Sequence, residues 1–170
     1  MNGIWVIIPV RELAAGKQRL AGVLAADLRQ RLIAAMLEDV LAAATAAPRL
    51  AGIALATSDG AAMRLGERYG AKRLADGGGL NRTLDAAAAA LIAEGAEAII
   101  VLPADLPLVR PAEIGSAVDR LAQGAKAVIA QAAVDGGTNL IGFRAEAALA
   151  FRFGVASFAT HCMAFRAMSV

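Results

Sequence analysis

Short unbroken apolar runs alternate along the chain with longer stretches in which apolar residues recur at three- and four-residue steps. Ile4 to Val10 is a continuous apolar run, the pattern of a strand covered on both faces. Over residues 25 to 47, Leu28, Leu32, Met36, Leu37 and Val40 follow helical spacing, and Pro48 ends the run. The same reading predicts a strand over Gly52–Thr57, a short helix over Ala61–Tyr69 and a strand over Ala71–Ala75. It continues with a helix over Asn81–Glu94, a strand over Ala98–Leu102 and a helix over Pro111–Gln123, with proline in the first turn. Strands over Lys126–Gln131 and Asn139–Phe143 follow, then one turn of helix over residues 145 to 150. Strands alternating with helices of this size imply right-handed crossovers, so the expected fold is α/β, a three-layer sandwich around a mostly parallel sheet.

Open parallel sheets bind ligands beyond the carboxyl ends of their strands, so the connections there are where chemistry is expected. They are polar and marked by glycine, whereas the opposite connections, such as Arg49-Leu50-Ala51 and Ala96-Glu97, are bland. The first carries Arg11, Lys17 and Arg19 with Gly16 among them, a set of cations suited to a polyphosphate, or simply a solvated basic loop. It is neither a P-loop nor a dinucleotide fingerprint, since both glycine patterns are missing. After the third strand, Gly77 to Gly79 let a ligand approach the backbone closely, and Asn81 is placed to cap the next helix.

Asp105 follows the fourth strand directly and stands between Pro103 and Pro107. A rigid lone carboxylate there suits Mg²⁺, which takes few carboxylates and completes its shell with phosphate oxygens and water; a helix cap is the alternative. Asp135 to Asn139 reads as a hairpin turn or as part of a ligand rim. Ser157 and His161 lie one helical turn apart, but no G-x-S-x-G elbow surrounds the serine, which is expected to cap a helix instead.

Composition narrows the class. The chain has 170 residues, enough for one domain, and is 58% hydrophobic yet only 4% aromatic, so its core is built from small side chains. Seventeen basic against fifteen acidic residues give a net charge of +2, with no footprint for nucleic acid. One cysteine, Cys162, excludes an internal disulfide, and one histidine excludes a His-rich zinc site. Apolar stretches such as Ala86 to Ala93 fall short of the roughly 18 residues a membrane span needs, and no signal peptide is evident, so the expected location is cytoplasmic. A homo-oligomer is expected if a truncated sheet edge, or an exposed Phe158 and Phe165, needs a partner to cover it.

The segments IIPVRELAAGKQRL, LPADLPLV, DGGTN and FRFG-x-x-SF-x-x-H, in this order and spacing, resemble the CofC/FbiD family, guanylyltransferases of deazaflavin (coenzyme F-420) biosynthesis. The resemblance runs from about residue 4 to His161. It implies a Rossmann-like nucleotidyltransferase fold of the glycosyltransferase-A type, with Mg²⁺ as cofactor. The implied reaction joins GTP to a phosphorylated three-carbon acid (2-phospho-L-lactate, phosphoenolpyruvate or 3-phosphoglycerate) with release of pyrophosphate. Alternatives are a nucleotide-binding relative without catalysis, or a nucleotidyltransferase for another phosphorylated acceptor.

Carried over by position, Lys17 and Arg19 fall in the phosphate-binding basic loop, with Arg11 beside them. Gly79, Leu80 and Asn81 fall near the nucleotide, and Asp105 matches a metal-binding aspartate. Thr138, Gly154 and Ser157 match positions expected to hold the acceptor's carboxylate, largely through backbone groups. The family pattern also has a glycine where this chain has Ala156, and continues to a further strand with one or two more metal-binding aspartates, whereas no Asp or Glu follows Glu146. A single nucleotidyltransferase domain over residues 1–170, without that strand, is the resulting expectation.

Overall fold

The computed structural model describes residues 3–13, 20–147 and 149–167. Six strands form one sheet in the order β3-β2-β1-β4-β6-β5. They are β1 (Ile4–Pro9), β2 (Leu50–Ala56), β3 (Lys72–Leu74), β4 (Ala98–Val101), β5 (Ala127–Gln131) and β6 (Thr138–Arg144). The helices are α1 (Ala26–Thr45), α2 (Gly60–Arg68), α3 (Leu80–Ala93), α4 (Pro111–Ala122) and α5 (Ser157–Ala167), with a single 3-10 turn over Ala145–Ala147.

Strands β1 to β4 run parallel, and β6 runs antiparallel to both β4 and β5. The antiparallel pair follows from chain length. The connection from Gln131 to Thr138 is far shorter than the dozen or so residues a parallel crossover needs, so the chain turns back as a hairpin. Because β6 is reversed, its first residue, Thr138, lies at the same edge as the carboxyl ends of the other strands.

Side-chain alternation sorts the core onto two faces. Val6 and Ile8 of β1 pack with Ile100 of β4 beneath α1, α2 and α4, through Leu37, Leu41, Met63, Ile114 and Leu121. Trp5 and Ile7, with Ile99 and Val101, face the other way toward Leu84 and Leu91 of α3 and Phe165 of α5. Phe165 is therefore core and Phe158 is half-buried, so the exposed pair expected from the sequence as an oligomer contact does not exist.

Trp5 sits opposite Gly52 on the neighbouring strand. A Cβ added at Gly52 would lie 2.5 Å from the indole ring, so the indole occupies the space that any other residue would fill. Gly52→Ala is expected to lower stability by about 1–3 kcal/mol through overpacking, read as a fall in the urea midpoint at unchanged m-value. No helix among the described residues is long and apolar enough to cross a membrane.

Candidate active site

The sheet's carboxyl edge gathers the segments after β1, β2, β3, β4 and β5. At the β1–β3 end they enclose a cavity of about 310 Å³, lined by Pro9, Arg11, Ala56, Asp76, Gly79 and Leu80, among others. Its floor is a turn stitched by side chains. Thr83 donates its hydroxyl to Asp76 Oδ1 (2.6 Å) and accepts from the Gly77 amide (2.9 Å), while Asp76 Oδ1 also accepts from the Gly78 amide (2.9 Å). The Thr83 hydroxyl and the Gly78 amide, helped by Gly79 and Arg11, outweigh partial burial and hold the Asp76 carboxyl below its ordinary value. Gly79 is the residue before α3 and has φ of +130°, with open space where a Cβ would stand; the backbone angle, not crowding, is what asks for glycine here. The amides of this turn are taken up by Asp76 and Thr83, so what the turn offers a ligand is close approach of the glycine backbone.

Gly79 and Leu80 line this cavity, as the sequence led us to expect. Asn81 does something else. It does not cap α3: it accepts from the Phe153 amide (2.7 Å) and donates to the Phe153 carbonyl (3.1 Å). Asp85, one turn further along α3, accepts from the Phe151 amide (2.9 Å), and His161 Nε2 on α5 accepts from the Arg152 amide (2.9 Å). Three consecutive amides without a neighbouring strand are thus each satisfied by a side chain. The Phe-Arg-Phe segment they fix delivers Gly154 to the rim.

Arg11 is exposed at the mouth of the cavity. Lys17 and Arg19 lie outside the described residues. Asp59 ties down Leu13, the last described residue before them, through a contact the sequence did not reveal. Its Oδ2 accepts from the Leu13 amide (2.8 Å), and its Oδ1 caps α2 through the Ala61 (2.8 Å) and Ala62 (2.9 Å) amides.

Asp105 is exposed beyond the end of β4, whose neighbour in the sheet is β1. It does not cap α4, which is capped from Arg110, whose amide is accepted by Glu113 (2.8 Å). No group of three or more His, Cys, Asp or Glu that could hold a metal is found among the described residues. Asp105 itself offers one hard oxygen ligand, which fits Mg²⁺ when phosphate oxygens and water supply the remaining positions.

At the other end of the rim, Asp135 Oδ1 accepts from the Gly137 amide (2.9 Å) within the β5–β6 hairpin, so the hairpin reading of this segment holds. Thr138 opens β6 and is buried, with its hydroxyl 3.0 Å from that of Ser157 and 3.1 Å from His161 Nδ1. Ser157 is the first residue of α5, and its buried hydroxyl bonds Thr138 rather than capping the helix as expected. Gly154 is exposed, its carbonyl accepting from the Ser157 amide (3.3 Å). Thr138, Gly154 and Ser157 are thus brought together.

Between them, Ala156 stands at φ of +52°, a left-handed conformation that costs an alanine about 1–2 kcal/mol. Ala156→Gly is expected to raise stability by up to about 1 kcal/mol, part of the relief being offset by the freer unfolded chain; a higher melting temperature checks it.

A family model described as guanylyl transferase CofC like matches residues 4–170. A phosphoenolpyruvate guanylyltransferase from Rubrobacter xylanophilus is 35% identical over 162 residues, covering 95% of this chain and 78% of that protein. One from Streptomyces coelicolor is 38% identical over 159 residues, covering 92% and 74%. Among solved structures, a protein from Desulfovibrio desulfuricans G20 described as a nucleotide-diphospho-sugar transferase superposes with a TM-score of 0.82 at 20% identity, over 99% of this chain and 78% of the other. That likeness shows the fold.

Proposed function

The chain belongs to the CofC family of guanylyl transferases, and from that premise we propose that it transfers the guanylyl group of GTP to phosphoenolpyruvate, releasing pyrophosphate in coenzyme F-420 biosynthesis. The observation that carries the reading is the rim itself: a glycine-backed cavity with Arg11 at its mouth at one end and a hydroxyl cluster at the other, with Asp105 on the same edge.

An oxygen of the acceptor's phosphate attacks the α-phosphorus of GTP. The bond from that phosphorus to the β-phosphate oxygen breaks, and pyrophosphate leaves with the electron pair. The attacking phosphate is already ionised at neutral pH, so no side chain has to remove a proton. What remains for the protein is alignment of two anions and neutralisation of their charge.

Lys17 and Arg19, with Arg11, hold the departing phosphates. The Asp76–Leu80 turn receives the nucleotide. Asp105 would hold Mg²⁺, which supplies charge neutralisation across the phosphate oxygens. Thr138, Gly154 and Ser157 receive the acceptor's carboxylate.

The test is pyrophosphate release with each of GTP, ATP, CTP and UTP against phosphoenolpyruvate, 2-phospho-L-lactate and 3-phosphoglycerate. Turnover with GTP and phosphoenolpyruvate above all other pairs is the expected result. Turnover only with CTP or UTP, or none without a sugar phosphate, overturns it.

A further inference from the structure

His161 is the chain's single histidine and is fully buried. The Phe153 ring packs edge-on against its imidazole, with centroids 5.1 Å apart. Both ring nitrogens are engaged, and the two contacts are unequal in kind. The Arg152 amide can only donate, so Nε2 must be the bare nitrogen of the ring. The neutral ring then carries its proton on Nδ1 and donates it to the Thr138 hydroxyl oxygen.

That polarity decides what the two hydroxyls can offer. The cluster has three protons, on Nδ1, Thr138 and Ser157, and two internal contacts, His161–Thr138 and Thr138–Ser157. With Nδ1 donating, those contacts use two protons, and one hydroxyl proton remains for an external acceptor. With the opposite tautomer, Thr138 would donate to Nδ1 and Ser157 to Thr138, and none would remain. That tautomer would also set an Nε2 proton against the Arg152 N–H. An imidazolium would meet the same opposition, and burial pushes the His161 pKa below its usual 6.5, which keeps the ring neutral at pH 7.

We propose that His161 is a positioning residue for the acceptor: fixed by the Arg152 amide, it polarises the Thr138–Ser157 hydroxyl pair so that the pair presents one O–H donor to the carboxylate of the phosphorylated acid. This rests on the reading of Thr138, Gly154 and Ser157 as the acceptor's end of the rim. It assigns the histidine no proton transfer, and it makes the backbone at Arg152 part of substrate recognition.

Long-range ¹H–¹⁵N spectra of the intact protein test the first half, since one histidine gives one imidazole pattern. The expected pattern is a protonated Nδ1 and a bare Nε2 near neutral pH, with the Nδ1 proton shifting when phosphoenolpyruvate is added beside a non-hydrolysable GTP analogue. A proton on Nε2 overturns the proposal. Two variants then divide the contacts. His161→Asn keeps a donor toward Thr138, whereas His161→Gln keeps only an acceptor toward Arg152.

His161→Gln is expected to raise KM for phosphoenolpyruvate about tenfold, because the remaining hydroxyl proton is no longer oriented by a donor at Thr138 and a charge-assisted hydrogen bond is weakened, with KM for GTP unchanged, and His161→Asn is expected to restore most of it. A merely structural histidine would move both KM values together, and that result counts against the proposal. If Ser157→Ala raises KM for the acid while His161→Gln does not, the role of His161 is refuted and the acceptor site stands. If Thr138→Val and Ser157→Ala combined also leave that KM unchanged, the acceptor reading itself fails.

Discussion

Asp105→Asn is expected to lower turnover with GTP and phosphoenolpyruvate by about 10²-fold or more, because the amide keeps the shape of the side chain and removes the charge that would hold Mg²⁺. A metal at a transferring phosphoryl group contributes several kcal/mol, and each 1.4 kcal/mol is about a factor of ten in rate. Asp105 is the carboxylate of the LPADLPLV segment and stands exposed on the rim beside the end of β1. The effect should therefore fall on activity and not on folding. Since Asp105 is exposed and does not cap α4, the unfolding free energy should change by no more than the roughly 1 kcal/mol of an ordinary surface contact. Steady-state pyrophosphate release across a magnesium titration, with a urea melt of the same preparation, separates the two. A turnover number within about threefold of the unaltered protein would refute the role.

Asp59→Ala is expected to cost about 1–4 kcal/mol of stability and to raise KM for GTP at least about fivefold. The carboxylate does two things at once: Oδ1 caps α2, and Oδ2 holds the Leu13 amide 46 residues away. Loss of an aspartate cap is worth about 0.5–2 kcal/mol, and a charged acceptor lost to a partly buried amide adds a comparable amount. Asp59→Asn divides these contributions. One amide oxygen still caps α2, but the NH₂ group cannot accept from Leu13. This variant should recover about half of the lost stability and still show the higher KM for GTP.

The pH dependence follows from the same contacts. Partial burial pushes the Asp59 carboxyl upward, but the amides of Ala62, Leu13 and Ala61, with Arg64 nearby, outweigh it and hold it below its ordinary 3.8. The folded state thus releases the proton more readily than the unfolded one. The stabilisation is present in full above pH 3.8 and is lost as the pH falls below it. The difference in stability between the unaltered protein and Asp59→Ala should accordingly shrink in acid. Equal KM values for GTP in both proteins would show that the anchor does not serve the nucleotide.

The sheet was legible because its central strands are unbroken apolar runs. Ile4 to Val10 and Ala98 to Leu102 are covered on both faces, and their observed limits differ from those expected by a residue or so. The antiparallel turn at β5–β6 was open in the sequence too, since Asp135-Gly136 suits a hairpin and the connection is too short for a crossover. The clustering of rim segments followed from the order of strands and loops alone.

What local reading missed are side chains whose partners are far away in sequence. Asn81 looks like a helix cap because capping is the commonest local use of asparagine, but its partner is Phe153, 72 residues on. Asp59 carries a cap signature that is real, while its bond to Leu13 exists only once β1 and β2 lie side by side. Ser157 and His161 invite pairing by helical spacing, yet it is Thr138, from a different strand, that bonds both. In each case a partner distant in sequence decides the role: a backbone group for Asn81 and for the second oxygen of Asp59, a side-chain hydroxyl for Ser157 and His161.

The most direct test is a crystal structure with a non-hydrolysable GTP analogue, Mg²⁺ and phosphoenolpyruvate together. The nucleotide should lie over the Asp76–Leu80 turn, its triphosphate between Arg11 and Asp105, and the acid's carboxylate at Thr138 and Ser157. Nucleotide density instead in the apolar groove of about 650 Å³ that Leu106, Val109, Val128 and Leu140 line beside α4 would contradict the account.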